Sequence, residues 1–293
     1  MTFAGVELGG TKCTLTLAQG PGLGEVLARE IVATTSPDET LERVEAVLGL
    51  WKGSAGIDAL GIASFGPIDI DEGSATYGHV LATPKPGWAR TDVAGRLQQF
   101  LGVPTLFDTD VNGAALAEMK WGCGRGFDDF AYVTVGTGVG VGLIVAGKPT
   151  RGFGHCELGH IRVPRVPGDT WPGSCPYHGD CVEGMASGSA LRARHGDDLD
   201  KLGPSDPVWD GIAATLAQLC QVIVCAAAPR RIAMGGGVIE HQPHLLAKIE
   251  ARLVESLNGF VRLPADGPYV RAPDLGTEAG PLGALALAME AMG

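Results

Sequence analysis

Two histidines and two cysteines with the spacing of metal ligands lie between positions 160 and 181: His160, Cys175, His178 and Cys181. Two imidazoles and two thiolates are a donor set that tetrahedral Zn²⁺ takes, and the Cys-x-x-His-x-x-Cys order lets one short Gly- and Pro-rich loop provide three ligands. A disulfide between Cys175 and Cys181 is the competing interpretation. Because the first ten residues carry Glu7 and no basic segment of a secretory leader, we expect a cytoplasmic protein with reduced thiols, which favours zinc.

The sequence holds seven cysteines, an odd number that fits reduced thiols better than a set of disulfides. His155 and Cys156 lie near the metal set as spare ligands. The four other cysteines are expected to pack as buried thiols: Cys13, Cys123, Cys220 and Cys225.

Two aspartates, Asp108 and Asp110, fall where a predicted strand gives way to a predicted helix. Helix capping is the common role for an acid at such a place. In open α/β proteins, however, ligands bind in the crevice outside the carboxyl ends of the strands. A carboxylate there can accept the proton of an attacking hydroxyl, as phosphoryl transfer requires. We therefore take Asp110 as the candidate catalytic base.

Three glycine clusters follow predicted strands and could hold phosphate groups, because bare backbone amides approach an anion without a Cβ in the way. Taken singly, each cluster could be an ordinary hairpin turn. The clusters are Gly9, Gly10, Thr11 and Lys12; Gly136, Thr137 and Gly138; and Gly235, Gly236 and Gly237. Residues 142–148 have Walker A spacing, but Pro149 replaces the Ser or Thr, and no helix follows Gly138 as a Rossmann fingerprint needs.

The order of predicted elements forms the scaffold for these residues. Apolar segments separated by turns predict a three-stranded meander at residues 3–33, and a similar pattern recurs from residue 130. A helix is expected from Pro37, where Ser36 and Glu39 complete an N-cap, N1 and N3 set. Strands that alternate with helices predict a largely parallel sheet, and the repeat indicates two α/β domains of related plan.

Composition excludes several classes of protein. With 22 Lys and Arg against 33 Asp and Glu, the formal net charge is −11, which argues against binding to nucleic acids or anionic membranes. The hydrophobic content of 45% indicates a folded chain. The longest apolar run, residues 212–228, is interrupted by polar side chains, so we predict a buried helix there.

Together these motifs resemble the ROK family of sugar kinases and repressors along nearly the whole chain. Residues 5–12 resemble the first phosphate motif of the family, residues 136–140 the second, and residues 234–238 its adenosine motif. Residues 109–112 match the segment that bears the catalytic Asp. Residues 154–160, continued by residues 181–183, match the sugar and zinc signature.

The resemblance implies an actin-like (ribonuclease H-like) ATPase fold, in which two α/β domains have a cleft between them. It predicts a first domain at residues 1–112 with a C-terminal helix at about 278–293, and a larger second domain with the zinc loop at 113–277. It implies ATP, Mg²⁺ and a structural Zn²⁺, with Asp110 as general base and Ser189 beside the nucleotide-binding glycines. The implied sugar-binding residues are Gly66, Pro67, Thr109, Asp110, Glu157, His160 and Glu183.

Within the family, residues 64–69, 83–88 and 107–112 are similar to the fructokinase branch, which implies phosphorylation of D-fructose to fructose 6-phosphate. Another hexose (glucose, mannose or an N-acetylhexosamine) is the alternative substrate. A non-enzymatic sugar-binding regulator is the other alternative, but no room for a DNA-binding domain precedes the strand at residue 3. We expect a homodimer that binds neither nucleic acid nor membranes.

Overall fold

The computed structural model of the protein describes residues 1–293, except for the side chains at positions 24, 197, 198 and 200. The chain forms two compact units, each with one sheet. The first unit comprises Met1–Arg125, Thr150–His155 and Thr277–Gly293. The second unit comprises Gly126–Pro149 and Cys156–Gly276.

Strands and helices are numbered in chain order. The strands are β1 (Thr2–Leu8), β2 (Lys12–Gln19), β3 (Val26–Ala33), β4 (Ala59–Ser64), β5 (Thr105–Thr109), β6 (Phe130–Val135), β7 (Val139–Val145), β8 (Lys148–Pro149), β9 (Ile232–Gly235) and β10 (Val270–Arg271). The helices are α1 (Pro37–Ser54), α2 (Ala94–Leu101), α3 (Asp110–Trp121), α4 (Val182–Ala186), α5 (Gly188–His195), α6 (Val208–Ala227), α7 (Gly237–His241), α8 (Leu245–Leu257) and α9 (Ala279–Glu290).

The sheet of the first unit has the strand order β3-β2-β1-β4-β5. The predicted meander is present as the antiparallel pairs β1–β2 and β2–β3, while β4 lies parallel to both β1 and β5. At the carboxyl ends of the parallel strands, Leu8 pairs with Ser64 and Ser64 pairs with Thr109. The segments that follow these three strands therefore start side by side at one edge of the sheet.

The sheet of the second unit repeats this plan in the order β10-β9-β6-β7-β8. Its first strand, β6, is central; β7 and β8 continue antiparallel on one side, and β9 and β10 lie parallel on the other. Helices α6 and α8 pack on each other and contribute to the core of this unit. The repeated strand order confirms the predicted α/β class and is consistent with the actin-like ATPase fold.

Helix α1 starts at Pro37, as predicted, but its capping differs from the prediction. In the described structure the Ser36 side chain makes no capping hydrogen bond; Thr35 Oγ1 instead donates to Glu39 Oε2 at 2.6 Å. The helix is held mainly by its inner face, which buries apolar side chains at helical spacing. These side chains are Leu41, Val44, Leu48 and Trp51.

Helix α9 lies against β1, β4 and α3 in the first unit. Glycines allow this packing because backbone meets backbone: a Cβ built on Gly61 would lie 2.0 Å from Ala284 O, and one built on Gly283 would lie 2.4 Å from the Gly113 carbonyl carbon. No L side chain fits at such distances without a backbone shift. The last helix of the chain thus completes the core of the first unit.

Gly61→Ala is expected to destabilise the protein by about 3 kcal/mol, because the added methyl group must push two backbones apart. The matched control is Gly53→Ala in α1, where a Cβ meets nothing within 4 Å. That change should stabilise the protein by about 0.5 kcal/mol through helix propensity. Urea unfolding of the two variants checks the prediction, and equal unfolding free energies would contradict the close packing of α9.

The division of the chain differs from the predicted one. Helix α3 continues past the predicted boundary at residue 112 and packs on α9, so the first unit extends to Arg125. The first unit also includes Thr150–His155, and the second unit is not the larger of the two. The contact between α3 and α9, rather than the end of the sequence motif at Asn112, sets the boundary of the first unit.

Several local features also differ from expectation. The sequence does not predict the short helices α4, α5 and α7 or the strand β10. Cys13, Cys123 and Cys220 are buried as predicted, whereas Cys225 is exposed. Five residues along an α-helix correspond to a rotation of about 140°, so Cys225 cannot share the buried face of Cys220 in α6.

Helix α6 is the one helix among the described residues that is long and apolar enough to cross a membrane by length and composition. Half of its most apolar window is buried inside the protein. Trp209, Leu216 and Ile223 on its inner face belong to the core of the second unit, which matches the buried helix expected from the sequence.

Candidate active site

The first glycine cluster forms the turn between β1 and β2. The Gly9 amide donates to Lys12 O at 3.0 Å, and the turn is supported from outside by Thr34, whose hydroxyl donates to Gly9 O at 2.8 Å. Gly10, Thr11 and Lys12 are exposed. The cluster is therefore an ordered hairpin turn, and three of its four residues are exposed.

The carboxylate of Glu7 lies just before this turn and was not singled out from the sequence. Burial raises the pKa of this carboxyl, against the charges of Lys12 and Arg29, which lower it. A Cβ on Gly280 would lie 2.0 Å from Glu7 Oε1, so glycine at the start of α9 leaves room for the acid. Mg²⁺ in phosphate-transfer sites is held by one or two carboxylates together with phosphate oxygens, a donor chemistry that Glu7 fits.

The second and third glycine clusters come together in the second unit. Residues 136–138 follow β6 and residues 235–237 follow its parallel neighbour β9, with Thr134 paired to Gly235. A Cβ on Gly236 would lie 2.7 Å from Val135 O, and its φ of +88° also favours glycine. The amide of Gly188, which opens α5, donates to Gly136 O at 2.7 Å. The first turn of α5 is thus adjacent to the second glycine cluster.

Ser189 lies in that first turn of α5 and is exposed. The capping residue of the helix is Ser187, whose Oγ accepts from the Ala190 amide at 3.1 Å. The Ser189 hydroxyl is therefore not needed to cap the helix. It lies next to the second glycine cluster, one of the nucleotide-binding clusters beside which the resemblance places it.

Asp110 is the first residue of α3, directly after β5. Thr109 is the N-cap: its Oγ1 accepts from the Asn112 amide at 3.1 Å, so capping is done by the threonine. Asp110 is half-buried, and its Oδ1 accepts from the Val111 amide at 2.9 Å. The arrangement places a carboxylate at the helix N-terminus, where negative charge interacts favourably with the helix dipole.

Asp108, the other aspartate of the motif, is fully buried. Its Oδ1 accepts from the Thr109 amide and from the Asn112 side-chain amide, each at 2.7 Å. Its Oδ2 accepts from Arg151 at 2.8 Å. The sequence offers no local signal for this pair, because 43 positions separate the two residues.

Gly66 and Pro67 begin the loop after β4. The Phe65 amide donates to Leu8 O at 3.0 Å, which holds the loop beside the end of β1, and Pro67 O accepts from the Leu81 amide at 2.8 Å. Next to the pair, the Ile68 amide donates to His155 Nε2 at 3.1 Å. His155 thus supports this loop and is not one of the clustered metal ligands.

The four predicted metal ligands are brought together in the second unit. Their donor atoms all lie within 4.8 Å of one another. His160 Nδ1 lies 3.6 Å from Cys175 Sγ and 3.7 Å from Cys181 Sγ, and His178 Nδ1 lies 3.8 Å from Cys175 Sγ. Zn–S bonds of about 2.3 Å and Zn–N bonds of about 2.0 Å give tetrahedral edges of about 3.5 to 3.8 Å, so the spacing fits Zn²⁺. All seven cysteines are free thiols in the described structure, against the disulfide interpretation.

Glu157 and Glu183 lie on the other side of the His160 ring. His160 Nε2 is 3.9 Å from a Glu157 oxygen and 4.0 Å from a Glu183 oxygen, while Nδ1 faces the two thiols. Glu183 Oε2 also accepts from the Val139 amide at 3.2 Å, next to the second glycine cluster. The His160 imidazole therefore lies between the two cysteine thiols and the carboxylates of Glu157 and Glu183.

Nearly the whole chain matches one family of known proteins. Residues 3–291 match the model of the ROK family. The chain belongs to this family. The resemblance predicted from the motifs is confirmed.

The protein is similar to two fructokinases over nearly their full length. The chain is 41% identical to a fructokinase of Zymomonas mobilis over 293 residues, covering 98% of this chain and 96% of that protein. It is 37% identical to a fructokinase of Pediococcus pentosaceus over 292 residues, covering 100% and 99%. The structure of a ROK glucokinase from Streptomyces griseus in complex with glucose and AMPPNP is 26% identical, with a TM-score of 0.76 and coverage of 99% of this chain and 100% of that chain.

Within each unit, the predicted site residues of this ROK protein cluster at the ends of parallel strands. In the first unit, the residues that follow β1, β4 and β5 include Gly9, Gly66 and Asp110. In the second unit, the glycine clusters after β6 and β9 adjoin Ser189 and Glu183, and Glu183 lies beside the histidine of the metal cluster. Sequence reasoning missed Glu7 and Arg151. The relation of Arg151 to the site depends on a tertiary contact, its hydrogen bond to Asp108.

Proposed function

We propose that the protein transfers the γ-phosphoryl group of ATP to the 6-hydroxyl of D-fructose and releases fructose 6-phosphate and ADP. The observation that carries this proposal is the placement of Asp110 at the junction of β5 and α3 in a ROK chain with full-length similarity to fructokinases. Glucose, mannose and an N-acetylhexosamine are less supported as substrates. A non-enzymatic regulator is less supported still.

In the proposed reaction, Asp110 accepts the proton of the 6-hydroxyl as the sugar oxygen forms a bond to the γ-phosphorus. The bond between that phosphorus and the bridging oxygen of ADP breaks in line with the attack, and ADP leaves with the bond electrons. The helix N-terminus supports this role, since the helix dipole there interacts favourably with the negative charge of a carboxylate. Capping does not require Asp110, because Thr109 supplies it.

We assign the remaining predicted residues according to their unit. The first turn (Gly9, Gly10, Thr11 and Lys12) and the paired clusters of the second unit (Gly136, Thr137, Gly138, Ser189, Gly235, Gly236 and Gly237) bind the phosphates and adenosine of ATP. Gly66, Pro67, Thr109, Glu157, His160 and Glu183 bind sugar hydroxyls. Mg²⁺ would neutralise phosphate charge when bound, and the carboxylate of Glu7, just before the first turn, would be one of its ligands.

We further propose that His160, Cys175, His178 and Cys181 hold a structural Zn²⁺. The fit of their spacing to a tetrahedral site supports the assignment. His160 would hold Zn²⁺ through Nδ1, which faces the two thiols, and Nε2 would then be the ring nitrogen left to donate a hydrogen bond. That donor lies toward Glu157 and Glu183, so the metal loop orders the sugar-binding carboxylates.

Three expectations from the sequence stay predictions: a cytoplasmic location, a homodimer, and no binding to nucleic acids or membranes. The net charge of −11 supports the last of these.

A coupled ADP-release assay with MgATP and a panel of hexoses tests the proposed function. We expect kcat/KM for fructose to exceed that for glucose and mannose by about tenfold or more, since buried hydroxyl contacts discriminate strongly between sugars. Metal analysis of the same sample should find about one zinc per chain for a four-ligand site. Preference for another hexose would change the proposed substrate. No turnover with any sugar would favour the non-enzymatic sugar-binding regulator.

A further inference from the structure

The buried carboxylate of Asp108 has no role in the reaction described above. Its side chain has 0% exposure in the described structure. Burying an ionised carboxylate costs free energy that paired charges and hydrogen bonds only offset, and an apolar residue at such a place is often at least as stable. Stability therefore does not explain why a carboxylate is buried at position 108. The groups that this carboxylate holds in place do explain it.

The first group that Asp108 holds is the opening turn of α3. Thr109 and Asn112 flank Asp110 in the sequence, and Asp108 accepts hydrogen bonds from the backbone of one and the side chain of the other, each at 2.7 Å. The Asn112 side-chain oxygen has no hydrogen-bond partner among the described residues, so Asp108 orients this amide. The turn that bears the proposed base is thus fixed on both sides of Asp110.

The second group is Arg151, which belongs to the segment Thr150–His155 of the first unit. Its guanidinium donates to Asp108 at 2.8 Å, and its side chain is 29% exposed. At the other end of the segment, His155 accepts from the Ile68 amide next to Gly66 and Pro67. Between these two anchors, Phe153 is 98% exposed. The segment Thr150–His155 is therefore anchored near both ends and exposed to solvent in its middle.

We propose that Asp108 is a positioning residue for phosphoryl transfer, which orients the first turn of α3 and, through Arg151, anchors the 150–155 segment to the sugar-binding side of the first sheet. The proposal rests on the proposed function, because the group being positioned is Asp110. When a reacting group is displaced slightly from its productive position, the chemical step becomes slower while the substrates still bind.

Arg151→Gln tests the proposal with an arginine that is partly exposed, so the variant should fold. We expect kcat with fructose to fall by about 10- to 100-fold while KM for ATP changes by less than about twofold, because the loss falls on the transition state. Arg151→Lys keeps a charge for Asp108 and should recover part of kcat. The matched control is Arg96→Gln, which removes an arginine of 28% exposure from Glu45 in the same unit, away from α3 and the segment.

Limited chymotrypsin digestion measures the anchoring without relying on activity. Phe153 is exposed in the wild type but tethered on both sides, so cleavage after it requires local release of the segment. We expect the fragment ending at Phe153, identified by mass, to form about tenfold faster in Arg151→Gln and in Asp108→Asn than in the wild type or in Arg96→Gln.

Faster cleavage together with the selective loss of kcat supports the proposal. Faster cleavage with unchanged kcat overturns the positioning role, and unchanged cleavage overturns the anchoring. A wild type without turnover on any hexose instead overturns the proposed function, while the digestion still decides whether Asp108 and Arg151 hold the segment.

Discussion

Asp110→Asn is expected to lose turnover by about three orders of magnitude, the middle of the range for a general base, while it still folds and binds ATP. Asparagine keeps the side-chain oxygen that accepts from the Val111 amide, so the start of α3 is preserved. It cannot accept the proton of the sugar hydroxyl. The loss should therefore appear in kcat, with KM for ATP nearly unchanged.

The control for this variant is another aspartate at a helix start in the same unit. Asp92 accepts from the Gly95 amide at 2.8 Å at the beginning of α2. If Asp110 serves only the helix, Asp110→Asn and Asp92→Asn should both cost about 1 kcal/mol of stability or less and leave kcat in place. Steady-state kinetics and thermal unfolding of the two variants separate the roles, and substantial turnover in Asp110→Asn would refute the assignment of the base.

Cys181→Ser is expected to remove the metal and to weaken sugar binding. Cys181 is fully buried, and its Sγ accepts from the Gly184 amide at 3.4 Å at the start of α4, which carries Glu183. Burial and the neighbouring Cys175 raise the pKa of the Cys181 thiol to about 11 in the protein without metal. Serine supplies no thiolate, so we expect zinc affinity to fall by at least about 100-fold and KM for fructose to rise.

Cys225→Ser is the matched control, since Cys225 is exposed on α6. This variant should keep its zinc content, its melting temperature and its fructose kinetics. Zinc per chain is measured by elemental analysis after dialysis, alongside KM for fructose. If Cys181→Ser retains stoichiometric zinc, the four-ligand site is wrong; if it loses zinc with unchanged sugar kinetics, the metal does not order the carboxylates.

The chemistry-bearing motifs could be predicted from the sequence because each is local. The glycine clusters, Asp110 and the four metal ligands lie in short segments whose residue types carry the signal, and their order along the chain defines the family. The Asp108–Arg151 pair could not be predicted in this way, since it depends on where the chain returns to the first sheet after β8. From its position in the sequence alone, Asp108 was only a second candidate for the residue that caps α3.

The domain boundary and one cysteine show the same limit. The motif that ends at Asn112 suggested a boundary there, but the contact between Gly113 and Gly283 joins α3 to α9 and extends the first unit. Cys225 looked like Cys220 in an apolar stretch, and only the rotation of α6 distinguishes their environments. Tertiary packing, rather than local composition, decided both cases.

The position of α9 also has a consequence for synthesis. Ribosomes make the chain from its N-terminus, so β1 to β5 and α3 emerge long before the helix that covers them. The second unit, which is continuous in sequence from Cys156 to Gly276 apart from its first hairpin, can bury its core earlier. The nascent first unit therefore exposes the apolar surface of β1 and β4 until residues 279–290 have been translated, and it is the part of the protein that chaperones should bind during translation.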